Sequence, residues 1–372
     1  LLRRPGSVYL GRLGVRFQDP DVPDEDSEPF ILDALEDHTL KRELLDAGRR
    51  HEPLAQVADR LRLAGRLPAA GFGLATIEPP LRRLQTQLES WHRRVDGAEA
   101  LTPPMLRFAI DATTDCPALA LEARVDGLYL DKSDDRDIND EGDKNDDGGK
   151  AGSLGLVTLE TSHFGHFKPD GKGSGDGPWK KLGKPHRLYA GYVRWLLVNA
   201  SGESPCRWTA IFEDRWLEFP TLERAQARAS LGHWLRTWWR AWCAPLPASD
   251  ALVKTLWSLA DREALGGLAA GESLDPGWRD RLAEAYDEGG FGMPSLAQRE
   301  GGLGQLWPDF ETFEAAGGVR ESVAHYQPIL EILLRASQQT HSHFRSQAVA
   351  TPASSKPLSK PSSTRSRGGA SE

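Results

Sequence analysis

The sequence predicts an α/β protein of the α+β kind, a mixed sheet flanked by helices. Three observations carry that expectation. Helical periodicity dominates both ends of the 372-residue chain. Short apolar or alternating runs cluster between residues 106 and 219. One strongly apolar helical run interrupts them, so residues 81 to 213 read helix, three strands, helix, strand, the order of a sandwich around one sheet.

The elements follow in order. After the acidic stretch DPDVPDEDSEP at 19–29, two helical patterns occupy 33–47 and 53–64, parted near Gly48 and Pro53. LPAAGFG at 67–73 reads as a turn, and Pro79-Pro80 as the start of a helix with Leu81, Leu84, Leu88, Trp91 and Val95 on one face. LRFAI at 106–110 is a short apolar strand. LALEARV at 119–125 alternates, Leu119, Leu121, Ala123 and Val125 against Glu122 and Arg124, and LGLVTLE at 154–160 is the third strand. HRLYAGYVRWLLVN at 186–199 is a helix, followed by strands at 208–213 and 216–219.

From Pro220 a long helix spans 222–243, with Trp234, Trp238 and Trp242 every four residues beside Leu231, Leu235 and Trp239. So broad an apolar face is expected to pack on the sheet or on a partner. Short helices and Gly-rich turns follow Gly266-Gly267, and a last helix at 320–337 contains Pro328. Residues 1–75 therefore read as a helical entry segment, 76–220 as the α/β core with an acidic insertion at 131–150, and 221–340 as a helical part packed on that core. The Ser/Pro/Lys-rich end, 341–372, reads as a disordered tail.

Composition narrows the function classes. A net charge of −8 argues against general nucleic-acid coating, while leaving room for a local basic groove. Cys116, Cys206 and Cys243 are few and scattered, which argues against a disulfide framework and for a reducing compartment. No run of 18 apolar residues or signal peptide is visible, so a soluble, cytoplasmic protein without membrane contact is expected. The chain opens with Leu1, as a piece of a longer protein would.

Four groups of residues invite chemistry. Asp137, Asn139, Glu141 and Gly142 imitate half of a calcium loop, but its twelfth position is Gly148, so the insertion reads as solvated acidic chain. His163 and His166 have metal-compatible spacing without a third ligand in reach, and His341 and His343 adjoin the tail. Lys168, Lys172, Trp179, Lys180, Lys181, Lys184 and Arg187 mix cations with an aromatic, which suits contact with phosphates or single-stranded bases and equally suits a plain solvated loop. Finally, Asp126 closes the second strand and Glu160 the third. If those strands are neighbours, the two acids converge on one sheet edge and could hold Mg²⁺, with a lysine orienting the attacking water. Ser162 stands where metal-dependent nucleases with a Glu-x-Lys ending carry that lysine, and it has no charge to offer.

The ordered pattern resembles the PD-(D/E)XK nuclease fold and, more specifically, the C-terminal domain of RecC, the gamma subunit of exodeoxyribonuclease V. The resemblance runs through LLRRPGSVYLGRLGVRF, EPFILDALEDHTLKRELL, RLAGRLPAAGFG, VDGLYLD, LVTLETS and YVRWLLVNASG. It continues through CAPLPASDALVKTLW, LAEAYDEG, GLGQLWPDF and HYQPILEILL, to about residue 336. It implies a nuclease-like sandwich that lacks the catalytic set and acts as scaffold and DNA guide in the unwinding, resection and repair of double-strand breaks. It also implies assembly with the RecB and RecD subunits, contact with double- and single-stranded DNA, and no cofactor of the chain's own, ATP and Mg²⁺ serving its partners. On that reading Asp126, Glu160 and Ser162 are degenerate nuclease positions. The alternative is a live Mg²⁺-dependent nuclease using Asp126, Glu160 and a migrated lysine such as Lys168.

Overall fold

A capping box opens the first long helix: the backbone N–H groups of Leu35 and Glu36 donate to Asp33 Oδ1 at 2.8 and 2.7 Å, and Glu36 accepts from the Asp33 N–H at 3.0 Å. The structure is a computed structural model and describes residues 4–15, 32–68, 70–131, 153–165, 182–289 and 294–340. All lie in one compact unit, Leu1–His341. Most of the acidic insertion, the basic run from Lys168 to Lys181, His166 and the tail lie outside the described residues, and with them the calcium-like positions 137–148, His341 and His343.

In the N-terminal part α1 (Pro5–Arg12), α2 (Ala34–Arg49), α3 (Leu54–Leu63) and α4 (Ala70–Val95) follow one another. Leu40, Leu44, Val57, Leu61, Leu84 and Leu88 pack α2, α3 and α4 into one apolar cluster. α4 corrects two readings. It begins at Ala70, so the second half of the stretch expected to turn is helical, and Pro79-Pro80 lie inside the helix. Interior prolines remove hydrogen bonds. Here the buried stripe runs through them, from Ile77 and Pro80 to Leu84, Leu88 and Trp91, and packing overrides the local preference.

Strands β1 (Glu99–Ala100), β2 (Met105–Ile110), β3 (Leu119–Arg124), β4 (Leu128–Asp131) and β5 (Ser153–Leu159) come next. The condition that the 119–125 strand neighbours the 154–160 strand is not met. β2 and β3 pair only with each other, as a separate antiparallel hairpin, and β5 pairs with β4 instead. The break lies at Gly127, whose φ of +78° is unfavourable for other residues. A Cβ there would also sit 2.5 Å from the Val157 carbonyl oxygen.

Helix α5 (Tyr189–Ser201) crosses from β5 to the parallel strand β6 (Cys206–Ile211), which turns back into β7 (Arg215–Phe219). Asn199 fixes that crossover: its side chain donates to the Cys206 carbonyl at 3.2 Å and accepts from the Cys206 N–H at 2.9 Å. Gly191 lets α5 approach the sheet, since a Cβ there would meet the Trp208 ring at 2.2 Å. Alternation along the strands divides the core. Leu156, Trp208, Ala210, Leu217 and Phe219 face α5, whereas Val157, Ile211 and Trp216 pack with Trp91 of α4.

Helix α6 (Arg224–Cys243) turns Ala227, Leu231, Trp234 and Ala241 inward. The tryptophan face is narrower than its spacing suggests: Trp234 is buried, but Trp238 and Trp242 stack on each other and Trp242 is 39% exposed beneath the Arg12 guanidinium. Helices α7 (Asp250–Trp257), α8 (Arg262–Ala270), α9 (Pro276–Ala283), α10 (Leu296–Arg299), α11 (Gly301–Leu306) and α12 (Phe310–Ala315) lead to α13 (Gly318–Arg335). Strand β8 (Ser337–Thr340), where the sequence suggests none, pairs with β7. The sheet order is β1-β4-β5-β6-β7-β8, with β5–β6 its one parallel pair among the described residues. The result is the mixed-sheet α/β sandwich expected, α4 on one face and α5, α6 and α13 on the other. No helix of the described residues is long and apolar enough to cross a membrane.

Candidate nuclease-like sheet edge

The parallel strands β5 and β6 end together, and their ladder continues past both ends. The Glu160 N–H donates to the Ile211 carbonyl at 2.9 Å, and the Glu213 N–H donates to the Ser162 carbonyl at 3.2 Å. The buried Gln87 amide of α4 clamps the same place, donating to the Glu160 and Ile211 carbonyls at 2.9 Å each. Continuing the alternation sends Glu160 to the α5 side of the sheet and Glu213 to the α4 side. Two electrostatic centres result.

On the α5 side the structure brings Asp126 and Glu160 to one edge through β4. Extending the β4–β5 register sets Asp126 opposite Thr158, two residues short of Glu160. What lies near both acids is arginine. Asp126 is half-exposed and pairs with Arg194 of α5 at 3.5 Å and Arg49 of α2 at 3.9 Å. Burial pushes the Glu160 carboxyl up to about 7, with Arg194 and then Arg187 drawing it back down. Arg187 is half-buried and its Nε is enclosed without a hydrogen-bond partner. Lys184 is exposed. Ser162 Oγ is enclosed without a hydrogen-bond partner.

This donor set does not suit Mg²⁺. The ion needs ionised carboxylates free to turn toward it. Here one acid is engaged by two guanidinium groups and the other is held near half-protonation at neutral pH. Among the described residues, no three His, Cys, Asp or Glu side chains gather as metal ligands would. Arg194 supplies fixed positive charge beside the two carboxylates instead.

On the α4 side lies a centre that the sequence reading missed. Glu213, 1% exposed, receives His163 Nε2 at 3.0 Å, Lys41 of α2 at 3.4 Å and Arg83 of α4 at 3.4 Å. The closest contact, from His163 Nε2, is at hydrogen-bonding distance, and Lys41 and Arg83 add their charge from slightly farther. Burial raises the Glu213 pKa most strongly, yet His163, Lys41 and Arg83 together outweigh it and hold the carboxyl below its ordinary value. His163 thus lies against Glu213, and the hydroxyl of neighbouring Thr161 meets His38 Nδ1 of α2 at 2.7 Å. The one available sequence signal was a carboxylate closing the apolar run WTAIF. Lys41 and Arg83 lie on separate helices with nothing local to mark them.

No curated protein matches the chain. Among protein-family models, that of the RecC C-terminal domain matches residues 1–263, ending at the second residue of α8, so the resemblance from there to about 336 lies beyond it. With well over half of its length matched, the chain belongs to the RecC C-terminal domain family.

Proposed function

We propose that this chain is a non-catalytic module of a RecC subunit, acting as scaffold and DNA guide within the RecBCD helicase–nuclease. The observation that carries the reading is Arg194, set beside Asp126 and drawing on Glu160 where a nuclease would hold its metal. An arginine there cannot activate water as a divalent ion does. It can pair with carboxylates and contact a passing phosphodiester without cutting it. Arg49, Arg187 and Arg194 against Asp126 and Glu160 leave a positive surplus at this edge, larger still while Glu160 is protonated. Lys184 and Arg187 belong to the basic run proposed for DNA contact, with Lys168, Lys172, Trp179, Lys180 and Lys181. Motor action and hydrolysis belong, on this proposal, to the RecB and RecD partners, which use ATP and Mg²⁺.

The test is direct. Purified chain is incubated with linear duplex and single-stranded DNA in Mg²⁺ or Mn²⁺. The expected result is intact DNA, together with co-purification of the chain with RecB. Cleavage that survives purification and disappears in Asp126→Ala would establish the migrated-lysine nuclease instead. Lys41, for its part, is engaged by Glu213 and by Asp37 at 2.7 Å.

A further inference from the structure

Along α4, Arg83, Gln87, Ser90 and Arg94 recur at steps of four, three and four, which places them on one face of the helix. That face meets the sheet. Gln87 is 0% and Ser90 6% exposed, in a layer where apolar side chains are the norm. The polar seam starts at the Glu213 cluster and opens at its far end into a cleft of about 320 Å³. Such a volume falls within the range of small-ligand sites.

We propose that this cleft binds one nucleotide unit, its phosphate on Arg93 and its base against Trp216. Arg94 forms one wall and is neutralised by Glu218 at 3.0 Å. Arg93 is different: among the described residues it pairs with no carboxylate. Its contacts are long, Nε to the Glu89 carbonyl at 3.4 Å and Nη2 to Ser90 Oγ at 3.5 Å. Counting Arg93, Arg94 and Glu218, the cleft carries a net charge of about +1, with a guanidinium whose planar donors match a phosphate. The buried Thr209 adds a hydroxyl, Ile211 an apolar floor and half-buried Trp216 a flat ring. Anionic at one end and planar at the other is the chemistry of a nucleoside phosphate. A single strand or a free nucleotide would present it equally. If the source is a strand, the inference rests on the DNA-guide reading and gives it a defined contact.

The experiment measures binding of a fluorescently labelled short oligo-dT to the full chain by anisotropy across a salt series, for wild type, Arg93→Ala, Arg93→Lys and Trp216→Ala. Circular dichroism and melting check that each variant folds. Arg93→Ala is expected to weaken binding about tenfold, as loss of a charge-assisted hydrogen bond does. It should also lower the slope of log K against log salt by about 0.7, one phosphate's worth for a single strand. Arg93→Lys should keep the slope. Competition with dTMP separates the sources: displacement of the oligonucleotide assigns the cleft to any nucleoside phosphate, and absence of displacement assigns it to strands. Wild-type binding that folded Arg93→Ala and Trp216→Ala leave unchanged in affinity and slope would overturn the cleft while the DNA-guide reading stands. No binding by wild type would overturn both.

Discussion

Replacing Glu213 by glutamine keeps the shape of the side chain and removes a single negative charge from the point where α2, α4 and the sheet meet. Of Lys41 and Arg83, both at 3.4 Å, Lys41 is the more buried at 13% exposed, and Glu213 itself is 1% exposed. At the effective dielectric that suits such sites, two charges at that separation attract by roughly 4 to 5 kcal/mol before desolvation is subtracted. Arg83, 35% exposed, adds less, because water screens it. Removing one member of a buried pair costs about 3 to 5 kcal/mol when the partner is left with no escape. Lys41 keeps its pairing with Asp37 and Arg83 can turn outward, so the expected loss lies at or just below the bottom of that range, about 2 to 3 kcal/mol. Equilibrium urea unfolding provides the assay. With an m-value of about 3 kcal/mol per molar the midpoint should fall by a little under 1 M, with m unchanged. Adding Lys41→Met to Glu213→Gln should recover part of the loss, since the cation that has lost its buried partner leaves with it. A change within about 0.5 kcal/mol, the range of ordinary surface substitutions, would refute the view that this cluster bolts the N-terminal helices to the sheet.

Glu160 should give the opposite pH signature. Its folded pKa, about 7, lies above the ordinary 4.5, so the native state holds that proton more tightly than the unfolded chain does. Its favourable contribution is therefore complete below about 4.5 and is lost as pH rises through about 7. Glu160→Gln should raise the melting temperature at pH 8 relative to wild type and leave it nearly level at pH 4.5; an equal effect at both would show that Glu160 titrates normally. Gly127→Ala places a methyl group 2.5 Å from the Val157 carbonyl on backbone with φ of +78°. It should cost more than about 1 kcal/mol in urea unfolding, and an unchanged midpoint would mean that the break between β3 and β4 does not depend on this glycine.

The arginines beside Asp126 and Glu160 and the buried Glu213 beyond them give one picture of how charge is placed at the end of this sheet. Both sit where β5 and β6 end, the place at which a parallel pair exposes its last residues to helices on either face. One face keeps two carboxylates and sets guanidinium groups beside them. The other uses a carboxylate to tie in helices that are remote in the chain.

The sequence by itself determined the broad alternation of helices and strands and the apolar strand that runs up to Glu160, because periodicity and strand ends are properties of a few adjacent residues. It also placed Asp126 near that edge, but by way of the wrong strand. Four residues, LYLD, form the actual neighbour of β5, and their signal is too short to stand out beside the acidic run. Helix α4 runs through two prolines because Ile77, Pro80 and Leu84 are buried together, a gain that no local propensity contains. What only the tertiary structure decided is which charges meet: Arg194 with Asp126 near Glu160, and Lys41, Arg83 and His163 around Glu213. Coulomb interactions and desolvation depend on distance in space and on access to water, and neither is written in the spacing along the chain.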